Sequence, residues 1–172
     1  VMGLLLVAEI PCRAASFVYL SLGGEKKIAI YRLNEQDGAL THVEDVPLAG
    51  APGCLEVDPT KKYLFASVRS AKQFMSFAID PENGKLKQIS AVPAGGNAAY
   101  IATDKNGEYL FSAYYGEGKV AVHRLGKDGT IAAEIVQTIP TDKNAHAILP
   151  DQANQFVFVP HTGPNAIYQF VW

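Results

Sequence analysis

The sequence lacks an excess of charge of either sign and has little cysteine, and both shortages exclude classes of protein. Its 172 residues carry 15 Lys and Arg against 17 Asp and Glu, a formal net charge of −2. Nucleic-acid-binding proteins need a basic patch or stripe, which this balance does not indicate. Cys12 and Cys54 are too few for a disulfide framework, and no histidine follows them at zinc-ligand spacing. We therefore expect no nucleic-acid partner, no metal and no other cofactor.

Long apolar runs are also absent. The longest begins the chain, in residues 1–10, and is shorter than the roughly 20 residues that span a bilayer. Cys12-Arg13-Ala14 follows it and satisfies the small-x-small rule of a signal cleavage site. Residues 1–15 are thus either the remnant of a secretory signal or an ordinary buried strand. The first interpretation makes the protein periplasmic or secreted, and the second leaves it cytoplasmic.

The familiar catalytic motifs are missing as well. There is no nucleophile elbow, no Ser-His-Asp order and no Gly-rich phosphate loop. Gly116-Glu117-Gly118 is a tight turn between strands, with no helix behind it. No stretch of ten or more residues after the first fifteen has helical periodicity, so the chain is predicted to be all-β.

What the sequence does contain is a repeat. Asp58, Asp104 and Asp151 recur at intervals of 46 and 47 residues. Three further markers keep nearly the same register: Pro47, Pro93 and Pro140; Gly38, Gly84 and Gly129; and the aromatic-led runs at residues 63–65, 109–111 and 156–158. Four short strands within roughly 40–50 residues are typical of a β-propeller blade. Residues 16–172 therefore form an incomplete propeller of four-stranded blades.

The order of strands sorts the loops into two faces. With strands named a to d from the centre outward, turns a–b and c–d lie on one face, because successive strands are antiparallel. The b–c turns and the d–a connections lie on the other. The first face has short Gly-ended hairpins, whereas the second has longer and chemically varied loops. Because binding residues concentrate on loops held by a rigid scaffold, the second face is the predicted functional face.

A histidine and an arginine on this face are candidate catalytic residues. His146 opens the innermost strand of the fourth blade, where an imidazole can act as general base or polarise a carbonyl group. The alternative is a structural histidine bonded to a neighbouring blade. Arg69 ends strand b of the second blade and suits a phosphate or carboxylate, or else it is a solvated rim charge. His42 and His123 are expected on the surface of outer strands.

Tyrosines occupy the matching position of the third blade. Strand alternation sends Tyr114 and Tyr115 to opposite sides, so at most one points into the channel and the other packs between blades. His161 holds the b–c position of the fourth blade, and Asn97 lies on a d–a connection, where it could instead bond to the backbone. We predict a catalytic role for Tyr115 beside His146 and Arg69, and substrate binding for His161, Asn97 and Tyr114.

The chain resembles the lactonase family of seven-bladed propellers, which includes 6-phosphogluconolactonase and carboxy-muconate cyclases. The resemblance covers residues 16–172 and is carried by residues 30–40, 57–69, 103–125 and 146–170. It implies a metal-free hydrolase that opens a sugar δ-lactone, with His146, Arg69 and Tyr115 matching residues of the family. His161 and Asn165 stand where many members carry acidic residues, which leaves the substrate open.

The resemblance also bears on the length of the chain. About three and a half of seven blades are present, so the sequence is interpreted as an N-terminal fragment that is inactive alone and needs the missing C-terminal blades to close the ring. The alternative to a lactonase is a non-catalytic propeller that binds a small ligand or a protein partner at the same face, since one fold supports both functions.

Overall fold

The computed structural model describes residues 15–172, and the interpretation of residues 1–15 as a signal remnant rests on residues outside that range. Apart from two single 3-10 turns, Gly23–Glu25 and Arg69–Ala71, its regular structure is entirely β. Within this range no helix has the length and apolar character needed to cross a membrane. The strands are β1 Ser16–Leu22, β2 Lys27–Leu33, β3 Leu40–Pro47, β4 Pro52–Val57, β5 Tyr63–Val68, β6 Gln73–Ile79, β7 Leu86–Pro93, β8 Tyr100–Thr103, β9 Tyr109–Tyr114, β10 Lys119–Leu125, β11 Ile131–Pro140, β12 Leu149–Pro150, β13 Phe156–His161 and β14 Ala166–Val171.

These strands form four antiparallel sheets that follow one another along the chain. Strands β4–β7 and β8–β11 make four-stranded sheets in sequential order, whereas β1–β3 and β12–β14 make three-stranded ones. By the repeat interval, the first sheet has strands b, c and d, and the last has a, b and c. The sheets are thus blades one to four of a propeller whose ring is not closed. The predicted all-β, incomplete propeller is confirmed.

An aspartate closes the a–b turn of blades two, three and four in the same way. Its Oδ1 accepts the N–H groups of the residues four and five positions later, at 2.7–2.9 Å. Its Oδ2 accepts the N–H group two positions later, at 2.9–3.2 Å. The three residues are Asp58, Asp104 and Asp151. These bonds, chiefly the one from Phe156, hold the pKa of Asp151 below its usual value.

Neighbouring blades are joined by aromatic rings that lie on glycines. The ring of Phe17 covers Gly84, and the ring of Tyr63 covers Gly129, each so closely that a Cβ on the glycine would collide with it. Both glycines lie in c–d turns with φ of 73° and 80°, a conformation that favours glycine. The Tyr63 hydroxyl also donates to the Lys127 carbonyl at 3.2 Å. The predicted Gly-ended hairpins therefore also dock one blade on the next.

His123 corrects one expectation from the sequence. It lies in β10 and is fully buried, with its ring edge-on to Phe74 at 5.2 Å between centroids. Neither ring nitrogen has a hydrogen-bond partner among residues 15–172. The prediction of a surface position for His123 is wrong because blade two covers this strand of blade three, whereas His42 is exposed as expected. Burial lowers the pKa of His123.

Replacing Asp104 by alanine should destabilise the fold strongly. Asp104 is only 1% exposed and also accepts from Asn154 Nδ2 of blade four at 3.2 Å. Losing these charge-assisted bonds and leaving their donors unpaired should cost about 3 kcal/mol, measured as a lower midpoint of urea unfolding. The control is Asp37→Ala, because within residues 15–172 this exposed aspartate accepts only the Ala39 N–H. Equal effects of both substitutions would contradict the structural role of the a–b aspartate.

His123→Phe should make the fold less sensitive to acid. A group with a depressed folded pKa contributes its full stability above its unfolded value, here about 6.5, and loses it as the pH falls through the folded pKa. The free energy of unfolding should therefore decline less between pH 7 and pH 5 in the variant than in the wild type. Exposed His42 provides the control. The variant His42→Gln keeps the buried imidazole of His123 and should therefore lose as much stability in acid as the wild type. Parallel pH profiles for all three proteins would refute this.

Candidate functional site

The b–c turns and the d–a connections meet on one face of the propeller. The backbone N–H of Arg69 donates to the Ala51 carbonyl at 2.9 Å, and the backbone N–H of Asn144 donates to the Tyr115 carbonyl at 2.8 Å. The first bond joins the b–c turn of blade two to the d–a connection that precedes this blade. The second joins the b–c turn of blade three to the d–a connection that leads to blade four. Both bonds confirm the predicted sorting of loops. This surface, called the loop face below, comprises residues 48–51, 69–72, 94–99, 115–118, 141–146 and 162–165.

One group of side chains on the loop face lies between blades three and four. The ring of His146 is 5.6 Å from the ring of Tyr115 between centroids, in an edge-to-face arrangement. The Tyr115 hydroxyl lies 3.1 Å from Thr162 Oγ1. His146 is held by its backbone N–H, which donates to the Pro160 carbonyl at 2.9 Å, and its side chain is exposed. The structure therefore brings two of the predicted catalytic residues together.

A second group lies between blades two and three. Arg69 Nε donates to Asn97 Oδ1 at 2.9 Å, and the Asn97 backbone N–H donates to Glu117 Oε1 at 2.8 Å. The guanidinium and the carboxylate are not in direct contact, since no ion pair joins them within residues 15–172. Arg69 and Asn97, both predicted site residues, are thus linked, and the Asn97 side-chain oxygen is already occupied by Arg69.

The two groups share one turn, residues 115–118 of blade three. Tyr115 belongs to the first group and Glu117 to the second, so this turn contributes a side chain to each. Sequence reasoning identified Tyr115 but missed Glu117 and Thr162. The repeat gives no signal for either residue. At the position of Glu117, for example, blades two and four carry Ala71 and Pro164, which are not acidic.

Tyr114 and His161 lie beneath the loop face. Tyr114 is fully buried, and its hydroxyl donates to the Ala94 carbonyl; burial also raises its pKa. His161 is 2% exposed, with Nδ1 at 3.0 Å from the Val159 carbonyl oxygen. Tyr114 is buried and Tyr115 exposed, as predicted, although β9 ends at Tyr114 and Tyr115 lies in the turn that follows. The substrate-binding roles predicted for Tyr114 and His161 gain no support from these positions.

Metal chemistry has no evident site in the part of the chain that the structure describes. Nowhere in residues 15–172 do three His, Cys, Asp or Glu side chains come together as ligands. The two groups of side chains contain an imidazole, two hydroxyls, a guanidinium, an amide and a carboxylate. Such groups can transfer protons and bind anions without a cofactor.

A family model described as lactonase, seven-bladed β-propeller, matches residues 18–172. The chain belongs to this lactonase family. The match covers all four blades, so the resemblance seen in the sequence is confirmed. A comparison with curated proteins finds no match.

Solved structures with the same fold include three proteins named as lactonases. A periplasmic gluconolactonase of Pseudomonas aeruginosa is 24% identical with a TM-score of 0.77, over 91% of this chain and 50% of its own. A provisionally named 6-phosphogluconolactonase of Bacteroides uniformis is 17% identical with a TM-score of 0.82, over 94% and 48%. A second such protein, of Bacteroides fragilis, is 19% identical with a TM-score of 0.82, over 95% and 50%.

These likenesses establish the propeller fold of this lactonase-family chain. The identities are too low to transfer a substrate from the solved structures. The chain also spans about half the length of the structures that it matches. Activity is therefore a question for the whole protein.

The neighbouring tyrosines of blade three allow a direct test of the buried position of Tyr114 and the exposed position of Tyr115. Tyr114→Phe removes a buried hydroxyl and leaves the Ala94 carbonyl without its donor, which should cost about 1–2 kcal/mol in the free energy of unfolding. Tyr115→Phe changes an exposed hydroxyl and should leave stability within about 0.5 kcal/mol of the wild type. Urea unfolding of both variants measures this difference. A larger loss in Tyr115→Phe would contradict the assignment of Tyr115 to the surface.

Proposed function

We propose that the whole protein hydrolyses a sugar δ-lactone of the 6-phosphogluconolactone type. The observation that carries the proposal is the contact between the His146 and Tyr115 rings on the loop face. Family membership supports it, because the matching family model is that of lactonases. The guanidinium of Arg69 lies on the same face and supplies the positive charge that a phosphorylated or carboxylated sugar requires.

In the proposed reaction His146 is the general base. Its neutral imidazole takes a proton from water as the water oxygen bonds to the lactone carbonyl carbon. A tetrahedral intermediate forms, and the bond from that carbon to the ring oxygen then breaks. The leaving oxygen takes the proton from the imidazolium, which returns His146 to its neutral form. The product is the open-chain hydroxy acid, and no oxidant, metal or second substrate is consumed.

Tyr115 is the proposed hydrogen-bond donor to the lactone. Its hydroxyl lies 3.1 Å from Thr162 Oγ1, and either oxygen can be the donor of that bond. When Thr162 donates, the Tyr115 O–H is left to donate to the carbonyl or ring oxygen. A donor at this place stabilises the negative charge that develops on the oxygen in the transition state. The edge-to-face contact with His146 keeps the two groups adjacent.

Replacing His146 by alanine should lower the rate of δ-lactone hydrolysis in the whole protein by about 10²-fold or more, as expected for loss of a general base. The assay follows acid release from gluconolactone and from its 6-phosphate. His42→Ala is the matched control, because His42 is an exposed histidine on β3, the outer strand of the first blade. Undiminished turnover in His146→Ala would remove His146 from the mechanism. Ligand binding without any hydrolysis by the wild type would favour a non-catalytic, ligand-binding propeller.

Arg69→Ala should act on affinity and should discriminate between the two substrates. Loss of the guanidinium should raise KM for the phosphorylated lactone by about 10-fold to 100-fold, because a charge-assisted bidentate interaction is removed. KM for unphosphorylated gluconolactone should change far less. The comparison of the two KM values, with Arg124→Ala on β10 as a control, measures this. An equal rise for both substrates would exclude Arg69 as the phosphate ligand.

A further inference from the structure

The guanidinium of Arg69 is held at one nitrogen and otherwise free. Nε donates to Asn97, whereas the four N–H groups on the two Nη atoms have no hydrogen-bond partner within residues 15–172. The aliphatic part of the side chain lies against the backbone of Gly53. A Cβ at Gly53 would be 2.6 Å from Arg69 Cδ and 3.0 Å from Cγ. Both ends of the side chain are therefore positioned while the Nη pair stays open to a ligand.

Asn97 owes its position to blade three. It lies on the connection between β7 and β8, and its own N–H donates to Glu117 Oε1. A Cβ at Gly96 would be 2.7 Å from the same carboxylate oxygen and 2.9 Å from the Tyr114 ring. Glycine at this position is what lets Glu117 approach the connection. The carboxylate thus bonds to the residue that in turn bonds to Arg69.

A second bond fastens the same connection. Lys119 Nζ donates to the Gly95 carbonyl at 2.8 Å, and this ammonium lies 4.6 Å from the centroid of the Tyr114 ring. Gly95 has φ of 68°, so the connection turns sharply between the two bonds. Lys119 fixes the start of the connection, and Glu117 fixes Asn97 two residues later. Only the second bond reaches the residue that touches Arg69.

We infer that Glu117 is a positioning residue, which acts through Asn97 to hold Arg69 with both Nη groups available for one oxyanion of the ligand. The phosphate of a sugar phosphate and the carboxylate of an open-chain sugar acid both have the geometry that such a fork grips. This inference rests on the proposed role of Arg69 in anion binding, but not on the hydrolytic step. It assigns a function to a side chain that neither the repeat nor the motifs singled out.

The direction in which removal of the Glu117 carboxylate changes anion affinity separates a positioning role from simple charge repulsion. A carboxylate near an anion site repels the anion, so its removal alone should tighten binding. If Glu117 instead positions Arg69, Glu117→Ala should weaken binding of 6-phosphogluconate, the expected product, by about tenfold, the equivalent of one lost hydrogen bond. Glu117→Gln keeps an acceptor oxygen without the charge and should bind at least as tightly as the wild type.

The experiment measures affinity of the whole protein by calorimetry with three probes: inorganic phosphate, gluconate and 6-phosphogluconate. The phosphate and carboxylate arms show which oxyanion Arg69 holds. Asn97→Ala removes the hydrogen bond between Arg69 and Asn97, and should change the affinity in the same direction and by the same factor as Glu117→Ala. Glu108→Ala is the control, because it removes an exposed carboxylate from the a–b turn of the same blade, on the opposite face. Its affinities should equal those of the wild type.

A double-mutant cycle provides the decisive result. In an Arg69→Ala background, Glu117→Ala should produce no further loss of affinity, because the residue through which it acts is absent. A full additional loss there, or tighter binding in Glu117→Ala alone, would overturn the inference. Binding is measured without turnover, so the two proposals can fail separately. A protein that binds oxyanions through Arg69 and Glu117 but hydrolyses no lactone would refute the proposed function alone.

Discussion

The aspartate of each a–b turn is the interaction on which the rest of the structure depends. Its carboxylate accepts three backbone N–H groups in blades two, three and four, and so sets how strand a pairs with strand b. The turn also requires a left-handed residue, which is Lys61, Gly107 or Asn154 with φ of 60°, 70° and 57°. Lysine is costly in that conformation. The turn still forms in blade two because three hydrogen bonds to one carboxylate outweigh the cost of one strained residue.

A fixed a–b register also fixes where strand b ends, and therefore where each b–c turn begins. All four of these turns have a left-handed residue at the same place, namely Lys26, Lys72, Gly118 and Asn165 with φ of 51–64°. Arg69, Tyr115 and Thr162 each stand three positions before it. They occupy corresponding positions in three successive blades and differ chiefly in side chain, although of the three only Arg69 begins a 3-10 turn. The propeller thus repeats a backbone and varies its chemistry, which is why a guanidinium and two hydroxyls come to surround one face.

The sequence was sufficient for the fold because the repeat is written in short-range signals: an aspartate, a glycine and an alternating strand in one register. It was also sufficient for the opposite burial of Tyr114 and Tyr115, although Tyr115 lies in the turn just after β9. It failed for His123, whose burial depends on Phe74 of another blade and not on its own strand. Glu117 was missed for a similar reason. Its partner is a backbone N–H on a connection 20 residues away, and a carboxylate in a turn is ordinarily solvated. These two contacts leave no pattern in a single sequence.

The indirect route from Glu117 to Arg69 has a physical advantage over an ion pair between them. A carboxylate bonded directly to the guanidinium would orient it well, but it would occupy the Nη groups and compete with any anionic ligand. An amide placed between them accepts from Nε and leaves the guanidinium charge available. The carboxylate spends one oxygen on the Asn97 N–H, which keeps the amide in place. Because Nε faces Asn97, the open edge of Arg69 is the one between its two Nη atoms, and that edge matches the two oxygens of a single carboxylate or phosphate.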